Sequence, residues 1–281
     1  MKRVLTILLL IITLIIGCSK EALKVFNYGN VEFRIGNNSD FTASDVGVYV
    51  NEIVTYPYTG EFEIPIVYNM EFQNSNGDMK GDNLYLDRNK RFNINAYAPY
   101  IQTGDSKSHY LPFSHGTDIL WAQSSFPVLS QESLNLVNLE FKHLTTQVLF
   151  ELEDMRDSTS KSKYDFEGAN YSIRGFSKRS YLNVTTGEML RGEVDSSVVI
   201  SNKDGATCFV PAEGSSLYNI ELTIPSKVED DISSQIIKSN FSYHFYPGHS
   251  YKLTIKVYTT EIVVSVNVAE WVVNQSDSLE L

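Results

Sequence analysis

The chain has 281 residues, 34 acidic against 23 basic, a formal net charge of -11, 42% hydrophobic and 12% aromatic composition, and two cysteines. That profile is globular and long enough for two ordinary hydrophobic cores; it excludes a disordered chain, a collagen-like chain and a disulfide-stapled mini-protein. The balance is acidic and no run of five like charges occurs, so the footprint of a duplex-binding protein is missing and nucleic acid is not an expected partner.

Met1, Lys2 and Arg3 form a positive start, followed by mostly aliphatic residues 4–16 and then Gly17 and Cys18. That run is shorter than the ~20 residues a spanning helix needs, so residues 1–17 read as a secretory signal peptide. Ile15, Ile16, Gly17 and Cys18 look like a bacterial lipobox, which makes Cys18 the expected lipid (palmitate) attachment point. Acyl chains contribute about 0.8 kcal/mol per buried methylene and would tether the mature chain to a membrane. Cys208 is then the one free thiol; it sits in an alternating, strand-like stretch and reads as buried and inert rather than nucleophilic.

A short polar tether, residues 18–23, leads into segments rich in Val, Ile, Thr, Tyr and Phe, separated every ten or so residues by Gly, Pro, Asn, Asp and Ser. Strands are expected at 31–35, 46–50, 62–68, 92–97, 144–152, 218–224, 251–258 and 261–268. In 251–258, Leu253, Ile255 and Val257 point one way while Lys252, Thr254 and Lys256 point the other, giving one core face and one wet face. One short helix is expected over residues 229–238. The class is all-β, antiparallel and sandwich-like. Val31-Glu32-Phe33-Arg34 and Leu139-Glu140-Phe141-Lys142 repeat an apolar-Glu-Phe-basic pattern, in keeping with two successive sandwiches, residues 24–132 and 133–281.

Motifs that carry chemistry are missing: there is no Walker loop, G-x-G-x-x-G, G-x-S-x-G, H-E-x-x-H or C-x-x-C, so neither an enzyme nor a cofactor is expected. The histidine pairs His109/His115 and His244/His249 match no common metal spacing. Ser114, His115 and Asp118 are neighbours in sequence, whereas a hydrolytic triad is assembled from distant segments. Asn74-Ser75-Asn76-Gly77-Asp78 has the composition of a calcium loop but not its register, and reads as a polar hairpin turn. Tyr97, Tyr100, Tyr110 and Trp121 surround a Pro/Gly/Ser-rich loop and are candidate contacts for a glycan or another surface ligand, against the alternative of core packing.

Several segments, in this order, resemble the fimbrillin-like proteins of the Bacteroidales, subunits and accessory proteins of lipoprotein-derived pili. They are the lipobox, Asp45-Val46-Gly47-Val48-Tyr49, Phe92-Asn93-Ile94-Asn95-Ala96-Tyr97-Ala98-Pro99-Tyr100 and Thr117-Asp118-Ile119-Leu120-Trp121-Ala122. Leu139-Glu140-Phe141-Lys142-His143-Leu144 and Val266-Asn267-Val268-Ala269-Glu270-Trp271 complete the set. The resemblance implies two tandem transthyretin-like β-sandwiches and a lipoprotein displayed outside the outer membrane. It further implies pilin subunits as partners through strand addition, the membrane as a partner through the lipid, and adhesion to host or bacterial surfaces. In polymerising members a protease cuts after a basic residue near the amino terminus and releases the first strand. Here no Lys or Arg follows Arg34 until Lys80, and the alternation of Val31, Phe33 and Ile35 places Arg34, the candidate processing site, inside a strand. The expectation is a retained first strand, which suits an anchor or accessory adhesin better than a stalk subunit.

Overall fold

Period-two alternation interrupted by turn-forming residues folds the chain into strands along most of its length. The computed structural model describes residues 28–36, 41–105, 107–126, 135–192, 198–201, 206–227 and 232–272. In chain order the strands are β1 (Tyr28–Ile35), β2 (Asp45–Tyr56), β3 (Gly60–Ser75), β4 (Asp78–Asp87), β5 (Arg91–Ala98), β6 (Tyr110–Ser114), β7 (Leu120–Phe126), β8 (Asn135–Leu139), β9 (Lys142–His143) and β10 (Thr146–Asp154). A short helix, α1 (Ser158–Lys163), precedes β11 (Asn170–Arg174), β12 (Arg179–Asn183), β13 (Glu188–Arg191), β14 (Val198–Ser201), β15 (Ala206–Phe209), β16 (Ser216–Pro225), β17 (Ser234–Tyr243), β18 (Ser250–Val257) and β19 (Ile262–Ala269). The all-β class expected from the sequence is the one observed.

The described residues divide into two compact units: those within Met1–Asn37, Ser44–Ala96 and Gln123–Glu140 form the first, and those within Asn38–Ala43, Tyr97–Ala122 and Phe141–Leu281 the second. The division falls inside β5 and inside β7, so neither unit is one continuous stretch of sequence.

In the first unit the strands follow the order β8-β1-β4-β3-β2-β5-β7. Buried side chains alternate along several of its strands, Val31, Phe33 and Ile35 on β1, Leu84 and Leu86 on β4, and Val137 and Leu139 on β8, while residues 46–51 of β2 are buried without a break. Asn76 and Gly77, both at positive φ, make the two-residue β3-β4 turn, where the Gly77 N–H donates to Asn74 Oδ1 at 2.9 Å. This is the twist-compatible hairpin geometry, and the polar turn expected at 74–78 is what forms.

The second unit is a sandwich of two four-stranded sheets, β15-β10-β18-β19 and β14-β11-β16-β17, with a smaller sheet β13-β12-β6. Tyr171, Ile173, Tyr218, Ile220, Leu222 and Ile224 of one sheet share a core with Val148, Leu253, Ile255 and Val257 of the other. Cys208 on β15 is buried, as its alternation suggested. Antiparallel pairing dominates. Among the described residues, β1 with β8 and β10 with β18 run parallel, each joining strands about a hundred residues apart by the long crossover that parallel neighbours require.

The short helix expected over 229–238 is corrected. Residues 228–231 lie outside the described residues, and from Ser234 onward the chain is β17, paired with β16 at ten consecutive positions. A local helical pattern yields here to a ladder whose partner strand and buried Ile237 stabilise it more. The helix found instead, α1, starts where the Asp157 carboxylate accepts from the Ser160 N–H at 2.8 Å, a capping bond that also holds the Asp157 carboxyl below the usual range.

Candidate assembly and adhesion surfaces

Cys18 and residues 273–281 lie outside the described residues. Among the described residues no helix is long and apolar enough to cross a membrane. No group of three or more His, Cys, Asp or Glu side chains there could hold a metal ion.

Strand β1, which carries Arg34, is hydrogen-bonded on both sides, antiparallel to β4 and parallel to β8. Arg34 stands opposite Asp78 on one neighbour and Asn138 on the other. Its guanidinium Nε donates to Asp78 Oδ1 at 3.0 Å. Both side chains are more than half exposed, so the ion pair itself contributes little. The backbone around it is another matter, because a protease needs an extended, unpaired segment and here both borders of the strand are occupied. Phe33, one residue before, meets Phe72 edge to face at a centroid distance of 5.1 Å.

The hairpin of β2 and β3 runs on past its pairing with neighbouring strands. Among the described residues, β4 pairs with β3 only from Phe72 to Ser75, and no strand lies on the outer border of residues 61–67. Register places Phe62 opposite Val54 and Ile64 opposite Glu52, which puts these side chains on one face. Tyr56 closes edge to face on Phe62 at 5.8 Å. Phe62, Ile64 and Ile66 remain 48%, 45% and 41% exposed. The opposite face is polar: Glu61 bonds Arg91, which also donates to Thr55 at 2.9 Å, and Glu63 accepts from Asn51 at 2.7 Å and from Asn93. Arg91 holds the Glu61 carboxyl below its ordinary value. The sequence marks this stretch as a strand; only the structure shows that its apolar side chains stay nearly half exposed.

In the second unit β17 and β19 each lie at one edge of their four-stranded sheet. They are tied by side chains reaching main chain rather than by a ladder: Ser239 Oγ donates to the Ile262 carbonyl at 3.1 Å and Gln235 Nε2 to the Thr259 carbonyl at 2.7 Å. Val264 and Val266 pack partly against the core while Val263 and Val268 are exposed. Past β19 the chain is gripped by Gln147, which accepts from the Val272 N–H at 2.8 Å and donates to the Val272 carbonyl at 2.7 Å. Trp271 lies over His143 at a centroid distance of 3.8 Å. No local pattern announces these contacts, since the partners are more than a hundred residues apart.

The four candidate aromatics separate. Tyr97 is 0% exposed and its hydroxyl is engaged with the Ile101 main chain; Trp121 is 6% exposed and donates from Nε1 to the Val184 carbonyl at 2.7 Å. A Cβ added at Gly187, whose φ is +71°, would come 2.7 Å from the Trp121 ring. Tyr97 and Trp121 are therefore core side chains, which corrects their reading as ligand contacts: an indole or phenol buried on all sides has no face left to stack on a sugar. Tyr100 is half-buried and Tyr110 is exposed.

The Ser114, His115 and Asp118 neighbours do not form a triad. Asp118 instead takes His143 Nδ1 at 2.9 Å and the Thr145 hydroxyl at 3.0 Å, while the His115 N–H donates to the Lys178 carbonyl. The Asp118–His143 pair was invisible in the sequence because 25 residues and two strands separate its members.

Comparison with known proteins follows the same line. No curated protein matches the sequence. Among solved structures, a candidate cell adhesion protein from Bacteroides uniformis is similar at 16% identity with a TM-score of 0.58, over 88% of this chain and 100% of that one. A fimbrial protein from Bacteroides vulgatus is similar at 12% identity with a TM-score of 0.54, over 86% of this chain and 99% of that one. At such identities the likeness concerns the fold. A family model described as fimbrillin-like matches residues 34–271. With that match spanning most of its length, from the end of β1 to Trp271, the chain belongs to the fimbrillin-like family.

Proposed function

We propose that this protein is a non-enzymatic, lipid-anchored component of a bacterial surface fimbrium, an anchor or accessory adhesin that keeps its first strand. The observation that carries the reading is the position of Arg34 within a strand paired on both sides. A subunit that accepts a donor strand must first vacate a groove, and removing β1 would empty the places in the core that Val31, Phe33 and Ile35 fill. A subunit that retains β1 offers edges instead, and the outer border of β3 and the edge strand β19 are available for contact with a neighbouring subunit. Acylation at Cys18 would fix the protein at the outer membrane, facing outward.

N-terminal sequencing and intact mass of the protein recovered from cell surfaces test this. The expected product carries a lipid at its first residue and includes β1, and Cys18→Ala abolishes labelling by a palmitate analogue. A mature chain starting at Ile35, accompanied by an SDS-resistant ladder on unboiled gels, overturns the anchor reading in favour of a stalk subunit.

A further inference from the structure

The outer face of the β14-β11-β16-β17 sheet gathers polar side chains in an ordered grid. Successive strand residues point to opposite faces, so Tyr218, Ile220 and Leu222 are buried inside while Asn219 and Glu221 face out. Register then fixes their neighbours: Arg174, Asn219 and Asn240 stand in one row across β11, β16 and β17, and Ser172, Glu221 and Lys238 stand in the next. These six side chains line a depression of about 410 Å3, within the size range of small-ligand sites.

Lys238 Nζ donates to Glu221 Oε2 at 2.8 Å, and Arg174 is close enough to help hold the Glu221 carboxyl below its usual range, after the larger effect of Lys238. Arg174 and Lys238 thus bring two cations to a depression lined by one carboxylate, a locally positive spot on a chain whose formal charge is -11. Exposed Leu217 and Ile236 stand on the same outer face at either end of the grid, opposite Ser242 and Thr223.

We propose that this depression binds an acidic saccharide, a pyranose carrying a carboxylate such as a sialic or uronic acid residue. Arg174 and Lys238 take the carboxylate through charge-assisted hydrogen bonds. The Asn219 and Asn240 amides and the Ser172 hydroxyl offer both donors and acceptors to ring hydroxyls. An acidic peptide that adds to a strand border would run along the edge strand β17 rather than over the face of β11 and β16, which are paired on both sides.

The inference goes beyond the fimbrial reading and does not depend on it. Purified protein is titrated with sialyllactose and with trigalacturonic acid, using lactose and polyglutamate as controls, at low and high salt. The expected result is salt-weakened binding of at least one acidic saccharide and none of lactose. Arg174→Ala and Lys238→Ala each reduce affinity about tenfold or more, with thermal unfolding unchanged; Arg174→Lys recovers part of the loss. Equal binding of lactose or polyglutamate, no binding of either acidic saccharide, or full affinity in a folded Arg174→Ala/Lys238→Ala protein overturns the proposal. None of these outcomes alters the sequenced amino terminus or the gel ladder, so the two readings fail separately.

Discussion

Strand β1 and the first half of β3 share one pattern and end in opposite surroundings. Val31, Phe33 and Ile35 alternate with Glu32 and Arg34 and are buried; Phe62, Ile64 and Ile66 alternate with Glu63 and Pro65 and stay nearly half exposed. Their borders differ too: β1 has a strand on each side, while residues 61–67 have β2 on one side and, among the described residues, no strand on the other; such pairing satisfies the backbone, whereas a side-chain face is buried only by what packs on it. Period-two alternation states that one face is apolar; it does not state that anything covers that face. An unpaired strand border beside exposed apolar side chains is an aggregation hazard unless something covers it.

Substitution gives the largest contrast. Phe33→Ala is expected to cost about 3–5 kcal/mol, since it removes a core ring packed on Phe72 and leaves a cavity. Phe62→Ala, by the same change of side chain, is expected to cost less than about 1 kcal/mol in the isolated protein. Urea unfolding of the two variants checks this, and similar losses would break the comparison.

Next comes alkaline titration of the sandwich core, a region covered on both sides like β1. Burial pushes the Tyr218 hydroxyl up to about 12, against smaller opposing effects of Arg191 and Ser216. Its pKa in the unfolded chain is near 10, so between the two values the folded state binds more protons and stability falls as pH rises. The loss is about 2–3 kcal/mol across that interval, and Tyr218→Phe removes that part of the pH dependence while other tyrosines keep theirs.

Arg34→Ala sharpens the comparison from the other end. The pair with Asp78 is exposed, so stability changes by less than about 1 kcal/mol. In the wild-type protein limited trypsin digestion leaves the Arg34–Ile35 bond intact, and early cleavage there would mean that β1 opens readily.

Acid titration is the smallest effect. Bonds from Arg91, Lys252 and Lys238 hold the carboxyls of Glu61, Glu151 and Glu221 below 4.5. Their contribution is complete above that value and fades as pH falls through the lowered ones. These groups are solvent-exposed, so the acid loss is modest and shrinks further in 1 M salt, which unfolding curves at two salt concentrations measure.

The residues most legible in the sequence were those whose role is local. Asn76 and Gly77 declared a tight turn, because few other residue types accept positive φ at both turn positions. Leu253, Ile255 and Val257 declared a core face by alternation, and Cys208 declared burial in the same way. Where the sequence misled, the deciding contact came from far along the chain. Residues 234–238 became strand because β16 was there to pair with them. Trp121 became a core residue because Val184 and Gly187, more than sixty residues on, closed over it.

From the sequence by itself came the all-β class, most strand positions, the polar turn and the fimbrillin-like resemblance, since each depends on neighbours within a few residues or on the order of short motifs. Tertiary structure alone decided which strand borders stay open, which aromatics are wet, and which six polar side chains meet on one sheet face. Those outcomes follow from register between strands distant in the chain, and register is set by the whole packed ladder rather than by any segment within it.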